Sequence, residues 1–144
     1  MIRAICVFIY FCAHGAYGGE EIAVSNDDTG IVKKTRSVTI TVNGGWESNI
    51  SGHESPELCK KFILKTDDVM EFFRYAELVL ERRYEHDLPA AMCYAEGEIS
   101  FLDGEQGKWN IDQARRGFLT TKHGTRYFYC DKCRAKNFAP ANGE

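Results

Sequence analysis

The sequence predicts an α+β domain in which one amphipathic helix packs across a curved antiparallel sheet of about six strands. Three observations support this: alternating β-branched residues near residue 40, one long helical stripe, and a later run of short segments separated by turn signals. Their order along the chain is strand, strand, helix and then four strands, or β-β-α-β-β-β-β. That order is typical of a helix covering one face of an antiparallel sheet.

The first strand is predicted from Ser37 to Val42, where apolar β-branched residues alternate with polar ones. Asn43 and Gly44 then supply residues that favour a tight turn. A second strand is predicted at 60–65, where apolar and polar residues again alternate.

The helix is predicted from Thr66 to Tyr84 and has the clearest pattern in the chain. Its apolar residues recur at three- and four-residue steps, which places them on one stripe: Val69, Phe72, Phe73, Ala76, Val79, Leu80 and Tyr84. Acidic residues in the first turn lie near the positive end of the helix dipole, which stabilises the start of the helix. Pro89 prevents the helix from continuing further. The two phenylalanines need a sheet to cover them.

Four more strands are predicted at 94–102, 107–112, 116–121 and 125–130, with short links between them. Consecutive strands with short links form an antiparallel meander. In the third of these strands the pattern does not decide whether Phe118 or Leu119 faces the core.

The chain divides into four parts by composition. Residues 1–18 are predicted to be a cleaved signal peptide, with Arg3 as the only charge, an apolar stretch at Ile5–Cys12 and small residues before Gly19. This stretch is too short to span a bilayer; the alternative is a buried N-terminal strand or helix. Residues 19–36 are predicted to be a flexible leader, 37–134 a single domain, and 135–144 a short C-terminal tail.

The predicted location is therefore periplasmic or extracellular, without a membrane span. Overall composition supports a folded chain, because 44% of the residues are hydrophobic. The net charge of −3 argues against a dedicated nucleic-acid binder.

Four cysteines remain after the predicted cleavage: Cys59, Cys93, Cys130 and Cys133. In an oxidising compartment they predict two disulfides, and the alternation of upward and downward elements places all four at one end of the domain. Three pairings are possible, and the sequence does not choose between them. The alternative is a zinc ion held by the four thiolates, since the Cys-x-x-Cys spacing at 130–133 is a common half-site. No other cofactor is predicted.

Charge is unevenly distributed. Residues 67–87 carry seven acids and three bases, whereas residues 115–136 carry seven bases and one acid. Because tyrosine and arginine are enriched in binding hot spots, the basic segment supplies the candidate partner-binding residues. They are Arg115, Arg116, Arg126, Tyr127, Tyr129 and Arg134. The alternative is an ordinary charged sheet edge that faces solvent.

The sequence contains no nucleophile elbow, phosphate loop or dinucleotide fingerprint. Glu96 and Glu98 fall on one face of a predicted strand, about 7 Å apart, a placement that a hydrolase could use together with a histidine. His53, His86 and His123 lie in predicted loops or beside turns and show no ligand spacing. The sequence therefore favours a small exported binding protein, an inhibitor or immunity-type protein acting on another exported protein, over a small secreted hydrolase.

Overall fold

The computed structural model describes residues 30–50 and 52–139, which form an α+β arrangement of short helices and one antiparallel sheet. The helices are α1 (Ile31–Lys34), α2 (Pro56–Cys59), α3 (Thr66–Tyr75) and α4 (Glu81–His86). The strands are β1 (Thr35–Trp46), β2 (Glu77–Val79), β3 (Cys93–Phe101), β4 (Gln106–Asp112), β5 (Arg116–Thr121) and β6 (Gly124–Tyr129). The predicted signal peptide and residues 19–29 of the predicted leader lie outside these ranges.

The six strands are ordered β1-β3-β4-β5-β6-β2, and every neighbouring pair is antiparallel. The predicted antiparallel sheet and α+β class are therefore confirmed. β3 to β6 form the meander that the short links indicate, while β1 and β2 are the two edges. Within the two ranges, no helix has the length and apolar character needed to cross a membrane.

The strand predicted at 60–65 is absent, and the order of elements therefore differs from β-β-α-β-β-β-β. The backbone of Leu64 is bonded instead by the side chain of Asn43, whose amide donates to Leu64 O and accepts from Leu64 N, both at 3.0 Å. Phe62 N donates to Cys59 O at 2.8 Å in a turn. Phe62 and Leu64 are buried as the alternation suggests, but without a partner strand.

The predicted single helix from Thr66 to Tyr84 is two helices separated by a strand. α3 ends where Ala76 takes an extended conformation, φ −69° and ψ 140°. The chain then pairs with β6, with Val79 opposite Tyr127, before α4 begins. Pairing with β6 satisfies the backbone of residues 77–79, a long-range contact that helical periodicity cannot register.

The core lies between α3 and one face of the sheet. Phe73 packs edge-to-face on Phe72 and on Phe128, with ring centroids 5.4 and 5.6 Å apart. Gly117 lets α3 approach the sheet, because a Cβ there would lie 2.8 Å from the Phe72 ring. Trp109 is fully buried in the same cluster.

Packing extends beyond the predicted domain limits of 37 and 134. Ile31 is 2% exposed and belongs to the core. Phe138 is 8% exposed, and its ring centroid lies 5.9 Å from that of Phe62. Arg115 holds this C-terminal segment by donating to Ala139 O at 2.8 Å and to Asp131 O at 3.3 Å. Ile31 and Phe138 thus pack in the same core as the residues between 37 and 134.

The four cysteines form two disulfides, Cys59–Cys93 and Cys130–Cys133, and all four are buried. Two backbone bonds place both disulfides at the end of the sheet that holds the β4–β5 connection: Gln113 N donates to Cys93 O, and Cys130 N donates to Arg115 O. The alternative zinc centre requires four free thiolates, whereas these sulfur atoms are bonded in pairs.

Candidate binding groove

The face of the sheet opposite α3, called here the outer face, carries the polar side chains of the central strands. Along β3, β4 and β5, buried residues alternate with exposed or half-buried ones. The latter point to the outer face and include Glu96, Glu98, Lys108, Asn110, Phe118 and Thr120. Because these strands are adjacent, their side chains form one surface.

Two adjoining cavities lie on the outer face. The first, about 390 Å³, is lined by Thr41, Glu96, Gly97, Glu98, Lys108, Trp109, Asn110, Phe118 and Thr120. The second, about 300 Å³, is lined by Glu47, Ile50, Tyr84, Ala91, Tyr94, Glu96, Asn110, Asp112, Arg116 and Phe118. Glu96, Asn110 and Phe118 line both cavities, which therefore form one outer-face groove.

One end of the groove is lined by a buried ion pair. Arg116 Nε lies 2.9 Å from Asp112 Oδ2, and the Arg116 backbone N–H donates to Asp112 Oδ1 at 2.9 Å. Ala91 N donates to the same carboxylate at 3.4 Å. Arg116 also donates from Nη1 to Tyr84 O at 2.8 Å, and its guanidinium carbon lies 4.6 Å from the centre of the Tyr84 ring.

Burial is the largest influence on the pKa values of Asp112 and Tyr84 at this end of the groove. It raises the pKa of Asp112 to about 6, against the opposing effect of Arg116, and raises the pKa of Tyr84 to about 12. The Asp112 carboxylate and the Arg116 guanidinium bond each other inside the protein, so the pair serves mainly to hold this end of the groove in place.

α4 forms the wall at this end by packing on β6. Tyr84 and Tyr127 lie with ring centroids 4.8 Å apart, and Tyr127 Oη donates to Glu81 Oε1 at 2.7 Å. That hydrogen bond raises the pKa of Tyr127 to about 12. Tyr127 thus connects β6 to α4 through its contacts with Glu81 and Tyr84.

The rest of the groove is acidic. It is lined by three glutamates, Glu47, Glu96 and Glu98. The one lysine that lines it, Lys108, occupies the position directly opposite Glu98 on the neighbouring strand. The pKa of Tyr94 is raised, first by burial and then by Glu96 and Glu47, so both carboxylates act on the same part of the groove.

The six predicted partner-binding residues do not form one surface. Arg115 and Arg116 are only 5% and 6% exposed, and their guanidinium groups bond inside the protein. Both stand beside the buried Asp112 in the tight β4–β5 connection, where Arg115 has φ +72°. Their charge contributes to packing rather than to an exposed basic patch.

The other four residues are divided between faces and elements. Arg126 is exposed and pairs with Leu119, whereas Tyr127 and Tyr129 are half-buried and alternate to the outer face. Arg134 is exposed and donates from Nη1 to Asp131 O at 3.1 Å. The basic segment is therefore not a continuous basic face.

The glutamate pair is not brought together with His53, His86 or His123. Glu96 and Glu98 share the larger cavity, but neither groove cavity is lined by a histidine. His123 Nε2 lies 3.6 Å from Glu105 Oε1 in another cavity of about 400 Å³, and His53 and His86 are exposed. Within residues 30–50 and 52–139, no group of three or more His, Cys, Asp and Glu side chains is placed to hold a metal ion.

Sequence reasoning missed Phe118, Asn110 and Tyr94 as groove residues. The alternation around Leu119, which is fully buried, turns Phe118 outward, where its ring is half-buried among polar side chains. A large aromatic residue on the polar side of a strand was the available signal.

Comparison with protein-family models, curated proteins and solved structures gave no match for this chain.

Proposed function

We propose that this protein is exported and acts by binding another exported protein in the outer-face groove, as an inhibitor or immunity-type protein does. The observation that supports the proposal best is the position of Phe118. Its half-buried ring lies where the two cavities meet, with Glu96 and Asn110 lining both. An apolar ring surrounded by hydrogen-bonding groups is a typical anchor position in a protein–protein interface.

The chemistry of the groove indicates what it would hold. The carboxylates of Glu47, Glu96 and Glu98 favour a basic side chain, while Phe118 and Tyr94 offer apolar and aromatic surface. The groove runs along the strands, and the Arg116–Asp112 pair lines one end of it. An extended segment carrying a basic and an apolar side chain fits this arrangement.

The groove is built on rigid elements, which supports binding. Its floor consists of adjacent strands of the meander, and the Cys59–Cys93 disulfide ties the start of that meander to α2. A preformed surface loses little conformational entropy when it binds a partner.

The binding proposal is tested by capture of a partner from the exported fraction of the producing cells. The immobilised protein is compared with Phe118→Lys and with the matched variant Leu80→Lys, because Leu80 is 73% exposed and lies outside the groove. Retention of one protein by wild type and Leu80→Lys, with loss in Phe118→Lys, is the expected result. Equal retention by all three proteins would place the binding surface elsewhere.

Export is tested by the intact mass of the full chain produced in an exporting host, before and after reduction. We expect a chain that starts at Gly19 and is four hydrogens lighter than its reduced form, as two disulfides require. A chain that retains Met1 would contradict export. Four free thiols and a zinc ion lost on denaturation would instead support the zinc alternative.

A further inference from the structure

β1 is an edge strand whose outer side is only partly covered. It pairs with β3 on one side, and within residues 30–50 and 52–139 no strand pairs with its other side. Near its C-terminal end that side is occupied: the Asn43 side chain bonds the Leu64 backbone, and Gly44 lies against the backbone of Cys59. The open part of the edge is therefore the segment 36–42.

From Ser37 to Ile40 the open segment lacks the charge, proline and bulges that usually protect an edge strand. Natural edges are short, charged or interrupted by proline, which prevents pairing with another chain. β2, the opposite edge, has three residues, whereas β1 has twelve, with no charged residue and no proline from Ser37 to Trp46. The pairing register of β1 with β3 is continuous from Ser37 to Ile40 and shifts on either side.

The side chains of this segment are also incompletely covered. Val38 and Ile40 pack against the core yet stay half-buried, while Thr39 and Thr41 are exposed. The core layer thus stops partway across β1, which leaves one side of these apolar side chains open at the edge.

We propose that β1 pairs antiparallel with β1 of a second copy of this chain, about a two-fold axis near Thr39. In this register Thr39 lies opposite its own counterpart and Val38 lies opposite Ile40, both favourable cross-strand pairs. Arg36 lies outside the regular stretch from Ser37 to Ile40, and because the strands are antiparallel the two arginines are at opposite ends of the pairing. The stretch from Ser37 to Val42 is therefore complementary to itself, and it carries no charge that would select a different partner.

The dimer goes beyond the proposed function and is independent of it. It extends the sheet across two copies and joins the half-buried Val38 and Ile40 side chains of both cores. The outer-face groove lies on the sheet face, with only Thr41 contributed by β1, so both copies keep an open groove.

Sedimentation velocity across a concentration series tests the proposal on the full chain with both disulfides formed. Wild type is expected to dimerise. Thr39→Lys places two like charges opposite each other at the axis, and at least about tenfold weaker self-association is expected. The matched variant Thr125→Lys changes an exposed threonine of β6, on the opposite side of the sheet from β1, and is expected to dimerise as wild type does.

Amide hydrogen exchange of the wild type gives a measurement that needs no variant. The outward-facing amides of residues 36–42 are expected to gain protection as protein concentration rises, while amides in β4 and β5 do not change. A monomer at every concentration, a dimer unaffected by Thr39→Lys, or exchange at 36–42 that is independent of concentration would each overturn the proposal.

Discussion

Arg116 and Asp112 form an ion pair inside the protein, with Nε and Oδ2 2.9 Å apart and side chains only 7% and 4% exposed. The two residues stand at either end of the tight connection between β4 and β5, and the same carboxylate also accepts the Arg116 backbone N–H. One carboxylate therefore holds the turn, the arginine and, through the arginine, Tyr84 of α4. The end of the groove that this pair lines therefore depends on it.

Replacing Arg116 by methionine should destabilise the fold strongly. It leaves Asp112 buried without its cation, and breaking a buried pair costs about 3–5 kcal/mol. We expect a loss of that size at pH 8 in denaturant titrations, and a smaller loss at pH 5, where the Asp112 carboxyl is protonated. Burial raises the pKa of Asp112, and Arg116 partly opposes that rise. Removal of the arginine should therefore raise the pKa further and favour the protonated carboxyl.

Arg126→Met is the control for this prediction, because Arg126 is exposed on the neighbouring strand β6. Its free energy of unfolding should stay within about 0.5 kcal/mol of wild type. Equal stability of the two variants at pH 8 would show that the buried pair contributes no more than an exposed arginine.

Asp112 should make stability depend on pH. Burial raises its pKa from 3.8 to about 6, so the folded protein binds this proton more tightly than the unfolded chain does. The resulting stabilisation is fully present below about pH 4 and is lost as the pH rises through about 6. We expect the free energy of unfolding of wild type, minus that of Asp112→Asn, to decrease between pH 4 and pH 7. A difference that is constant over this range would contradict the raised pKa.

The two disulfides should contribute unequally to stability. Cys59–Cys93 links residues 34 apart, whereas Cys130–Cys133 links residues 3 apart. In the chain-entropy treatment the longer loop stabilises by about 4 kcal/mol and the shorter by about 1.5–2 kcal/mol. Denaturant titrations of the two double-alanine variants should therefore show the larger loss for Cys59→Ala/Cys93→Ala. The opposite order would show that local packing around Cys130 outweighs loop length.

Gly97 should not tolerate a side chain. A Cβ at this position would collide with the carbonyl oxygen of Thr39 on β1 and would lie 2.8 Å from the ring of Trp109. Gly97→Ala should lower the free energy of unfolding by about 1–3 kcal/mol, because both neighbours are held in the sheet. Glu98→Ala, at the next and exposed position, should change it by less than about 0.5 kcal/mol in the same denaturant titration. Equal effects would contradict the close approach of β1.

The strands of the meander were predictable because each pairs with the next one along the chain. Alternation in 94–102 and 107–112, together with the intervening turn residues, already defines a local pairing, and the structure has β3 and β4 there. The helix and the strand at 60–65 were predicted wrongly because their outcome depends on distant partners. Residues 77–79 join β6, and Leu64 is bonded by Asn43.

The candidate site shows the same division. Glu96 and Glu98 could be assigned to one face of a strand, since side chains alternate in any strand. Arg115 and Arg116 read as part of a basic surface, yet both are buried, because Asp112 and the carbonyl oxygens of Asp131 and Ala139 meet them only after folding. Composition counts charges but does not show which of them face each other.

The α+β class, the antiparallel meander and the four cysteines that form the disulfides could be predicted from the amino-acid sequence. These features follow from local periodicity, turn chemistry and residue counts. Four other features became known from the folded structure: the disulfide pairing, the burial of Arg116 beside Asp112, the outward position of Phe118 and the open edge of β1. Each of these depends on which strand lies next to which, a long-range relation that the spacing of residues along one chain does not contain.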